Sequence, residues 1–578
     1  MPTAEGRNGG ETLLEQLESF GVDCVFASPI AVMGPVWEAL ARSGAGMKLR
    51  YFRCRHELLA VSLASGYYKA TGRSQVVFLP TSLGVQNAAM ALGTAMKERT
   101  PMTVISPDTM TYGEDPDLDP GAEWPALLTG HAGPARSAEA VVKWSKLART
   151  ASDLVHEFRR ACYIAESVPS GPTLLEVPFD LLQGPGHGQI PPRVGPAAVG
   201  ASPAQIQEVA DILAGATNPI IITEHAGRTD DDRNTLIAIA EALSAPVFEF
   251  WSPAYHNFPR SHPLYGAGPA DPVVGEADAI LLAGCDGPWH PPHPALRPGA
   301  AVIHLEQDPL RPNGAYWGYR TTHAIAGDVS VNLRAMAAVL QGRGSPVPGR
   351  AERWTAYSRG VRAEAAEKAR ASSEATGFVG SAEVFRALHD GLPDDAICVD
   401  EVTVPLAEMV HFLYERKPFT QYRGWCGGLG TSLGTALGVK LACPQKPVVC
   451  IIGDGAWHYN PVPAALGFAQ EYGLGLLIVL WNNGQYASQS YNLLKYFPDG
   501  SAARAQNFIG NVIAPMPDYV RQVEAYGGAG ERVQKLDELV PALRRALETI
   551  ATGQTFLLDV IVEAQAFTVT KHDAGQGK

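Results

Sequence analysis

The chain has 578 residues, of which 46% are hydrophobic and 18% are charged, and its formal net charge is -13 at pH 7. A chain of this length is expected to form three or four domains. The acidic balance argues against a nucleic-acid partner, because phosphate backbones bind basic surfaces. The longest apolar runs fall far short of the ~20 residues of a membrane helix, so we expect no membrane span.

The cysteines and the N-terminal residues bear on the compartment. Eight cysteines are scattered along the chain without a Cys-x-x-Cys pair, so zinc and redox motifs are not expected. Buried free thiols in a reducing compartment are the simplest interpretation. The N-terminal residues lack the apolar stretch of a secretory signal. These features together predict a cytoplasmic protein.

Two stretches rich in glycine and proline, residues 183–202 and 341–350, divide the chain. Such a composition resists regular structure and marks domain boundaries. The predicted domains are residues 1–182, 203–340 and 351–578.

Each of these blocks alternates short apolar runs with amphipathic stretches. Continuous apolar strands separated by helices are typical of parallel sheets that are covered on both faces. We therefore predict an α/β fold with three doubly wound parallel-sheet domains. The predicted buried strands are residues 75–79, 102–106, 219–223, 279–283, 301–305, 448–452 and 476–480.

The clearest chemical motif lies in residues 448–485. One predicted strand ends at a Gly-Asp-Gly turn around Asp454, and the next strand ends at an Asn-Asn pair that includes Asn483. Ligands of open α/β sheets bind beyond the carboxyl ends of the strands, so these two side chains should converge. Carboxylate and amide oxygens, together with phosphate oxygens, are the ligands that magnesium prefers. A glycine turn followed by a helix would let backbone amides approach a phosphate.

A Gly-Asp-Gly turn alone is a common structural feature, but its combination with the later Asn-Asn pair resembles the cofactor motif of the thiamine diphosphate-dependent enzymes. The interval is slightly longer here, and residues 460–463 are expected to hold the extra length. The resemblance implies that magnesium is bound by the side chains of Asp454 and Asn483 and by the backbone carbonyl of Gln485. It also implies that the cofactor is bound by Gly453, Gly455, Ala456 and Tyr486.

A second motif is Arg55-His56-Glu57, followed by an apolar stretch with helical spacing. A carboxylate at the start of a helix is favoured by the helix dipole alone, which is the structural alternative. The segment nevertheless resembles the RHE…A…GYA…TG segment of the benzoylformate decarboxylase and acetolactate synthase branch. In that branch the glutamate hydrogen-bonds the aminopyrimidine ring of the cofactor and promotes loss of the thiazolium proton. The resemblance implies that Glu57 is catalytic.

Two further stretches support the same resemblance. Residues 81–87 follow the strand at 75–79, where the family has a loop with a glycine and an asparagine. Residues 425–430 (WCGGLG) resemble a Gly-Gly-Leu-Gly stretch of benzoylformate decarboxylase. That resemblance implies that the Gly427 carbonyl accepts a hydrogen bond from the cofactor amine and that Leu429 supports the bent cofactor. A glycine-rich helix start with a core leucine is the alternative.

The strand-end residues Glu401 and Thr403 correspond to a family loop near the diphosphate. The resemblance covers nearly the whole chain in the family's order of pyrimidine-binding, middle and diphosphate-binding domains. It implies thiamine diphosphate and Mg²⁺ as cofactors. In this family the activating glutamate and the Gly-Asp-Gly site of one active site come from different chains. A homodimer or homotetramer with shared active sites is therefore expected.

The substrate pocket is less clearly indicated. Related decarboxylases place a histidine at the strand end where this chain has Pro80, followed by Thr81. The early loop at residues 26–33 offers apolar side chains, Ile30, Ala31 and Val32 among them, where relatives have glycine and serine. These substitutions predict an apolar, aprotic pocket.

Three histidines are also candidate functional residues. His262 resembles a family histidine that approaches the site, although a His-Pro turn favours a structural role. His290 and His293 have no further ligand at metal spacing, so a loop is the preferred interpretation. Residues 486–517 follow the cofactor motif directly and form a candidate lid over the substrate.

The first functional hypothesis is a 2-keto-acid lyase or carboligase that forms a carbanion on the cofactor. It would release an aldehyde or transfer it to a second carbonyl compound. An acetolactate synthase-like transferase and a 2-hydroxyacyl-CoA or oxalyl-CoA lyase are close alternatives. A nucleotide-binding oxidoreductase belongs to a different class, but residues 224–228 match GxGxxG poorly. A non-catalytic homologue is disfavoured by the presence of Glu57.

Overall fold

The structure is a computed structural model. It describes residues 7–109, 119, 121, 123–125, 132–249, 254–289, 295–311, 314, 318–341, 347–376, 380–404, 406–424 and 427–562. These residues form two compact units. The first unit contains the described residues up to 359 together with 422–443, and the second contains residues 360–421 and those from 444 onward. The first unit holds two parallel sheets and the second unit holds one.

The first sheet has six parallel strands in the order β2-β1-β3-β4-β6-β5. Strands β1 and β3 are buried along their whole length, as expected of a parallel sheet with helices on both faces. The strands are β1 (Cys24–Ala27), β2 (Arg50–Arg53), β3 (Gln75–Phe78), β4 (Met102–Asp108), β5 (Trp144–Leu147) and β6 (Pro172–Pro178). The helices are α1 (Gly9–Ser19), α2 (Gly34–Ser43), α3 (Glu57–Thr71), α4 (Thr81–Lys97), α5 (Gly133–Ala138), α6 (Ala151–Glu166) and α7 (Phe179–Gln183).

The second sheet has five parallel strands in the order β11-β10-β9-β7-β8. Its central strands are continuous apolar runs without exposed residues, so the sheet is the core of the middle domain. The strands are β7 (Pro219–Thr223), β8 (Val247–Glu249), β9 (Ala279–Ala283), β10 (Ala301–Glu306) and β11 (His323–Ala326). The accompanying helices are α8 (Pro203–Gly215), α9 (Asp230–Leu243) and α10 (Val329–Leu340).

In the second unit, the third sheet runs in the order β12-β14-β15-β17-β16, and its paired strands are parallel. The rings of Phe385 and Trp481 stack in its core with centroids 4.9 Å apart. The strands of the C-terminal region are β12 (Ile397–Glu401), β13 (Gln421–Arg423), β14 (Val448–Gly453), β15 (Leu477–Asn482), β16 (Ala529–Val533) and β17 (Phe556–Ile561). The helices are α11 (Arg350–Thr376), α12 (Ser381–Gly391), α13 (Leu406–Phe412), α14 (Ser432–Ala442), α15 (Asp454–Trp457), α16 (Val462–Tyr472), α17 (Ala487–Tyr496), α18 (Ser501–Ala505), α19 (Tyr519–Glu524) and α20 (Leu536–Ala551). Helix α14 lies in the first unit, and β13 begins where the chain passes from one unit to the other.

The predicted architecture of three parallel-sheet α/β domains is confirmed. All seven predicted strands are present, and β7 and β9 have the predicted bounds. The limits between the three domains stay predictions. The cysteines that the structure describes are free, and all of them except Cys443 are buried.

One local expectation is wrong. Residues 81–87, expected in a loop, form the first turns of α4. The stretch has no helix-breaking proline after its start, and it places Ala88, Leu92 and Ala95 on the buried side at helical spacing. The connection between β3 and α4 consists of Leu79 and Pro80, and Thr81, the first residue of α4, has a positive φ of 45°.

No helix among the described residues is both long enough and apolar enough to cross a membrane.

Candidate active site

The carboxyl edge of the third sheet brings together the residues of the Gly-Asp-Gly and Asn-Asn motifs. Strand β14 lies between β12 and β15, and the register pairs Gly453 with Trp481. Asp454 directly follows β14, and Asn483 directly follows β15. Both side chains therefore start from the same edge, because parallel strands end on the same side of a sheet.

Asp454 is a buried carboxylate, with 2% of its surface exposed. Its Oδ1 accepts a hydrogen bond from the Gly455 amide at 2.8 Å, and its Oδ2 accepts one from the Gly484 amide at 2.7 Å. Burial raises the pKa of Asp454 to about 7, although these amides and that of Gln485 act in the opposite direction. The ionised form is costly in this environment, and a bound cation would favour it.

The two adjacent asparagines have different roles. Asn483 is half-buried, and its Oδ1 accepts a hydrogen bond from the Gln485 amide at 3.2 Å. Asn482 is buried, and its Nδ2 donates to Oδ1 of Asp559 at 2.8 Å. Arg532 in turn donates to the other oxygen of Asp559 at 2.7 Å. Asn482 thus anchors the strand end, and only Asn483 remains available for a ligand.

The backbone around Gln485 is held by a second segment of the chain. The Tyr486 amide donates to the Asn511 carbonyl at 2.7 Å, and the Ile513 amide donates to the Gly484 carbonyl at 2.8 Å. The side chain of Asn511 donates to Oε1 of Gln485 at 3.3 Å. These bonds close the base of the predicted lid, which contains α17 and α18 and exposes Tyr496 and Phe497.

Close packing explains why the motif has a glycine at position 455. A Cβ atom there would lie 2.8 Å from Cδ1 of Tyr486, so the tyrosine ring lies directly against the backbone. A Cβ at Gly453 would have no neighbour within 4 Å, and Ala456 is buried. Tyr486 is half-buried beside this turn.

Residues near β12 complete this edge of the third sheet. Glu401, the last residue of β12, is buried, and the Nδ2 atom of Asn460 donates to its Oε2 at 3.3 Å. Asn460 lies shortly before α16, and it also donates to the Ala456 carbonyl at 3.0 Å. Thr403 lies two residues beyond the strand and is half-buried.

Glu57 lies at the carboxyl edge of the first sheet, as the first residue of α3. Its Oε1 accepts a hydrogen bond from the Ser28 hydroxyl at 2.8 Å, and its Oε2 accepts one from the Asn87 amide at 2.5 Å. Ser28 directly follows β1, and Asn87 lies on α4. Ser28 and Asn87 were not predicted to have a role, although they lie in the early loop at residues 26–33 and in residues 81–87. For Ser28, the polar side chain directly after a strand was the available signal.

The glycine-rich segment at residues 427–430 leads into α14, which packs within the first unit on α3, the helix that begins at Glu57. Gly427 has a φ of 101°, a conformation that only glycine adopts easily, and Leu429 is half-buried. Helix α14 packs tightly on α3, because a Cβ at Gly66 would lie 2.0 Å from the Thr435 carbonyl oxygen. Trp425 and Cys426 lie outside the described residues.

The predicted pocket residues are found at different places in the first unit. Pro80 and Thr81 follow β3 at the Glu57 edge, and Thr81 is a buried β-branched residue at a positive φ, which is a strained conformation. Ala31 is exposed, whereas Ile30 packs partly against the core of the first sheet.

Of the three predicted histidines, His262 lies among the described residues. His262 lies in the middle domain, where its Nδ1 accepts a hydrogen bond from the Leu264 amide at 3.2 Å and its ring packs on Phe258. Its Nε2 is 3.4 Å from Oε1 of Glu241. These contacts give His262 a local structural role. His290 and His293 lie outside the described residues.

The oxygen atoms at the third-sheet edge fit a magnesium–diphosphate group. The Asp454 carboxylate, the Asn483 amide oxygen and the Gln485 carbonyl are hard ligands of the kind that Mg²⁺ prefers. Each carboxylate oxygen of Asp454 keeps a lone pair besides the amide bond it accepts. The fold and this edge therefore define a three-domain α/β protein with a candidate site for a metal-bound diphosphate.

Comparison with known proteins identifies the family. Residues 7–124 match the thiamine pyrophosphate enzyme N-terminal TPP binding domain, residues 206–336 match the central domain, and residues 402–560 match the C-terminal TPP binding domain. The chain belongs to the thiamine pyrophosphate enzyme family, in the group that includes acetolactate synthases and decarboxylases. This membership favours the thiamine-dependent hypothesis over the nucleotide-binding oxidoreductase.

The similar proteins catalyse different reactions. The chain is 27% identical to the acetolactate synthase isozyme 3 large subunit of Escherichia coli, over 99% of this chain and 97% of that protein. It is 26% identical to the sulfoacetaldehyde acetyltransferase of Rhodobacter capsulatus, over 98% and 96%. Among solved structures, the thiamine diphosphate-dependent 4-hydroxybenzoylformate decarboxylase of Rhodococcus jostii aligns with a TM-score of 0.78 and 25% identity, covering 97% of this chain and 100% of that one.

Proposed function

We propose that the protein is a thiamine diphosphate- and Mg²⁺-dependent 2-keto-acid lyase or carboligase. The observation that carries the proposal is the pairing of two features in one chain. Asp454 and Asn483 offer oxygen ligands at one sheet edge, and Glu57 is held at another edge by two hydrogen bonds. A non-catalytic homologue would not need an activating carboxylate held in this way.

Each residue of the proposed site would have a defined role in binding or activating the cofactor. Asp454, Asn483 and the Gln485 carbonyl would hold Mg²⁺, and Gly453, Gly455, Ala456, Tyr486 and Thr403 would surround the diphosphate. The Gly427 carbonyl would accept a hydrogen bond from the cofactor amine, with Leu429 supporting the ring system. Glu57 would share a proton with the aminopyrimidine nitrogen. When bound, thiamine diphosphate supplies the electron sink that stabilises a carbanion beside a former carbonyl.

The substrate would be a small 2-keto acid. Ile30, Ala31, Pro80 and Thr81 would line an apolar pocket that excludes water, and residues 486–517 would cover it. Because the side chains of Ile30, Ala31 and Pro80 cannot donate a proton, capture of a second carbonyl compound is favoured, and carboligation is the expected main reaction when an acceptor is supplied. An acetolactate synthase-like transfer is the second candidate, because the similar proteins include an acetolactate synthase and an acetyltransferase.

The test is product analysis of the purified protein. It is incubated with thiamine diphosphate, Mg²⁺ and a panel of 2-keto acids, with and without aldehydes, and the products are identified by mass. We expect carbon dioxide together with a hydroxyketone or an aldehyde from at least one keto acid. Cleavage of 2-hydroxyacyl-CoA or oxalyl-CoA, with no turnover of free keto acids, would replace the proposal by the CoA lyase alternative.

We also propose that active sites are shared between two chains, as homodimers or homotetramers. Mixing two inactive variants tests this arrangement. In a dimer of Glu57→Gln with Asp454→Ala, one shared site would carry both defects and the other would carry none. Unfolding and refolding the mixture should then restore up to about a quarter of the wild-type activity, since half of randomly paired dimers are mixed. No restored activity in dimers shown to be mixed would place each site within one chain.

A further inference from the structure

A cluster of polar side chains lies at the carboxyl edge of the middle sheet and is separate from the residues assigned above. Strands β10, β9 and β7 are neighbours, so the residues that follow them meet at one edge. Glu224 and His225 follow β7, and Asp286 follows β9. The three side chains each offer a ligand atom, and these atoms lie within 4.8 Å of one another.

Each of the two carboxylates uses one oxygen for the protein and keeps the other for the cluster. Oε2 of Glu224 accepts a hydrogen bond from the Asp286 amide at 3.1 Å. Oδ1 of Asp286 pairs with Arg99 at 3.0 Å. The remaining oxygens, Oε1 of Glu224 and Oδ2 of Asp286, lie 3.8 Å and 3.9 Å from Nε2 of His225. These distances are too long for hydrogen bonds.

His225 is the independent observation that points to a ligand. Only 3% of its side chain is exposed, and among the described residues neither ring nitrogen has a hydrogen-bond partner. Buried polar groups are normally paired, so an imidazole that faces two carboxylate oxygens without bonding either one needs an explanation. A buried neutral imidazole without a hydrogen-bond partner has a nitrogen lone pair to offer a ligand.

The negative charges of the cluster are also not fully balanced by cationic side chains. Arg99 pairs with Asp286 at 3.0 Å and with Glu306 at 2.8 Å. Among the described residues no ion pair joins Glu224 to an arginine or lysine, although Glu224 is buried. A buried carboxylate without a cationic partner is unfavourable unless it is protonated or binds a cation. Asp286 is about one-third exposed, which gives an ion access from solvent.

We propose that Glu224, His225 and Asp286 form a metal site that binds a divalent transition-metal cation such as Zn²⁺. One imidazole nitrogen and two carboxylate oxygens are a ligand set that Zn²⁺ accepts at about 2.0–2.2 Å from each atom. Two atoms at that distance from one ion are at most about 4.4 Å apart, and both distances from Nε2 of His225 fall below this limit. The three ligand atoms lie within 4.8 Å of one another, so binding of an ion would require the side chains to move slightly closer together. The nitrogen ligand disfavours Mg²⁺, which prefers oxygen.

The test is Zn²⁺ binding to the full chain after chelator treatment. The Asp454→Ala background removes the other proposed metal site, and bound zinc is measured by calorimetry and by elemental analysis. We expect one tightly bound Zn²⁺ per chain in both the wild type and this background, with no competition from millimolar Mg²⁺. Glu224→Gln and Asp286→Asn preserve shape and should weaken binding by more than about 100-fold, since even outer-shell changes cost about 10–100-fold.

His323 supplies the matched control. Its Nε2 lies 3.8 Å from Oε1 of Glu208, so it resembles half of the cluster without a second carboxylate. His323→Ala should leave the tight site unchanged. Equal zinc binding by the wild type and by Glu224→Gln or Asp286→Asn would overturn the proposal, as would loss of the site in His323→Ala. If the cluster variants misfold, crystals of the wild type grown with Zn²⁺ decide the matter. An anomalous peak among the three side chains supports the site, and its absence there refutes it.

Discussion

The side-chain amide of Asn87 donates a hydrogen bond to Oε2 of Glu57 over 2.5 Å. The hydroxyl of Ser28 donates to the other carboxylate oxygen at 2.8 Å. The carboxylate is therefore held from α4 and from the end of β1. A catalytic group that is fixed by two neighbours needs little rearrangement before it acts.

The first prediction concerns Glu57 itself. Glu57→Gln keeps the shape of the side chain but cannot share a proton in the same way, so it should bind thiamine diphosphate and lose most turnover. General acid–base roles are typically worth about 10²–10⁴-fold in rate. Steady-state kinetics and cofactor titration measure the two effects separately. Glu11→Gln, which also removes a first-turn carboxylate, is the matched control and should retain activity. Activity of Glu57→Gln within a few-fold of wild type would reduce Glu57 to a helix-start charge.

The second prediction concerns the support of this carboxylate. Asn87→Ala removes one of the two donors and frees Glu57 to rotate, so kcat should fall by roughly 10-fold with little change in cofactor affinity. Asn87→Asp places a second carboxylate beside Glu57 and should cost more, because the two charges repel. Equal activity of both variants and the wild type would show that Ser28 alone is sufficient.

The third prediction concerns the metal. Because Asp454 and Asn483 offer oxygen ligands at one sheet edge, thiamine diphosphate should bind only with a divalent cation, and Asp454→Ala should abolish that binding. Fluorescence or calorimetric titration with and without a chelator measures it. Asp518→Ala removes an exposed aspartate that caps α19 and should leave cofactor affinity unchanged. Undiminished affinity in Asp454→Ala, or after chelation, would refute the assignment.

The fourth prediction concerns pH and a buried carboxylate of the first sheet. Glu176 accepts a hydrogen bond from the Ala135 amide at 2.8 Å, and burial raises its pKa to about 7. Between the usual glutamate pKa of about 4.3 and about 7, the folded protein holds a proton that the unfolded chain has released. The free energy of unfolding should therefore fall as pH rises through this window and level off above about 7, with a total change of at most about 4 kcal/mol.

Glu176→Gln removes this titration, so its stability should change less between pH 5 and pH 7 than that of the wild type. Urea unfolding at several pH values measures the difference. Glu139 is exposed and lies in the same region, so Glu139→Gln should keep the wild-type pH dependence. Parallel pH profiles for the wild type and Glu176→Gln would contradict the argument.

Local patterns made most of the fold and part of the site predictable. Continuous apolar runs determine the strands, and the turn at Asp454 follows one of them directly. The partners of Glu57 were not predictable, because Ser28 and Asn87 lie 29 and 30 residues away in the chain. They meet Glu57 because β1 lies between β2, which precedes Glu57, and β3 in the sheet. The same holds for Asn482, whose bond to Asp559 depends on the pairing of β15 with β17.

The last prediction concerns the fate of the product. Release of an aldehyde after loss of carbon dioxide requires a proton at the reacting carbon. The candidate pocket side chains Ile30, Ala31 and Pro80 cannot donate one, so a second carbonyl compound should compete successfully, and carboligation should exceed aldehyde release at saturating acceptor. The product ratio with and without an added aldehyde measures this competition.

The competing source of a proton is His262. Its described contacts with Leu264, Phe258 and Glu241 give it a structural role, so His262→Asn, which keeps a hydrogen-bond acceptor for the Leu264 amide, should leave the product ratio unchanged. Total turnover of this variant serves as the control for folding. If free aldehyde dominates at saturating acceptor and disappears in His262→Asn, the pocket contains a proton donor and the protein is a plain decarboxylase.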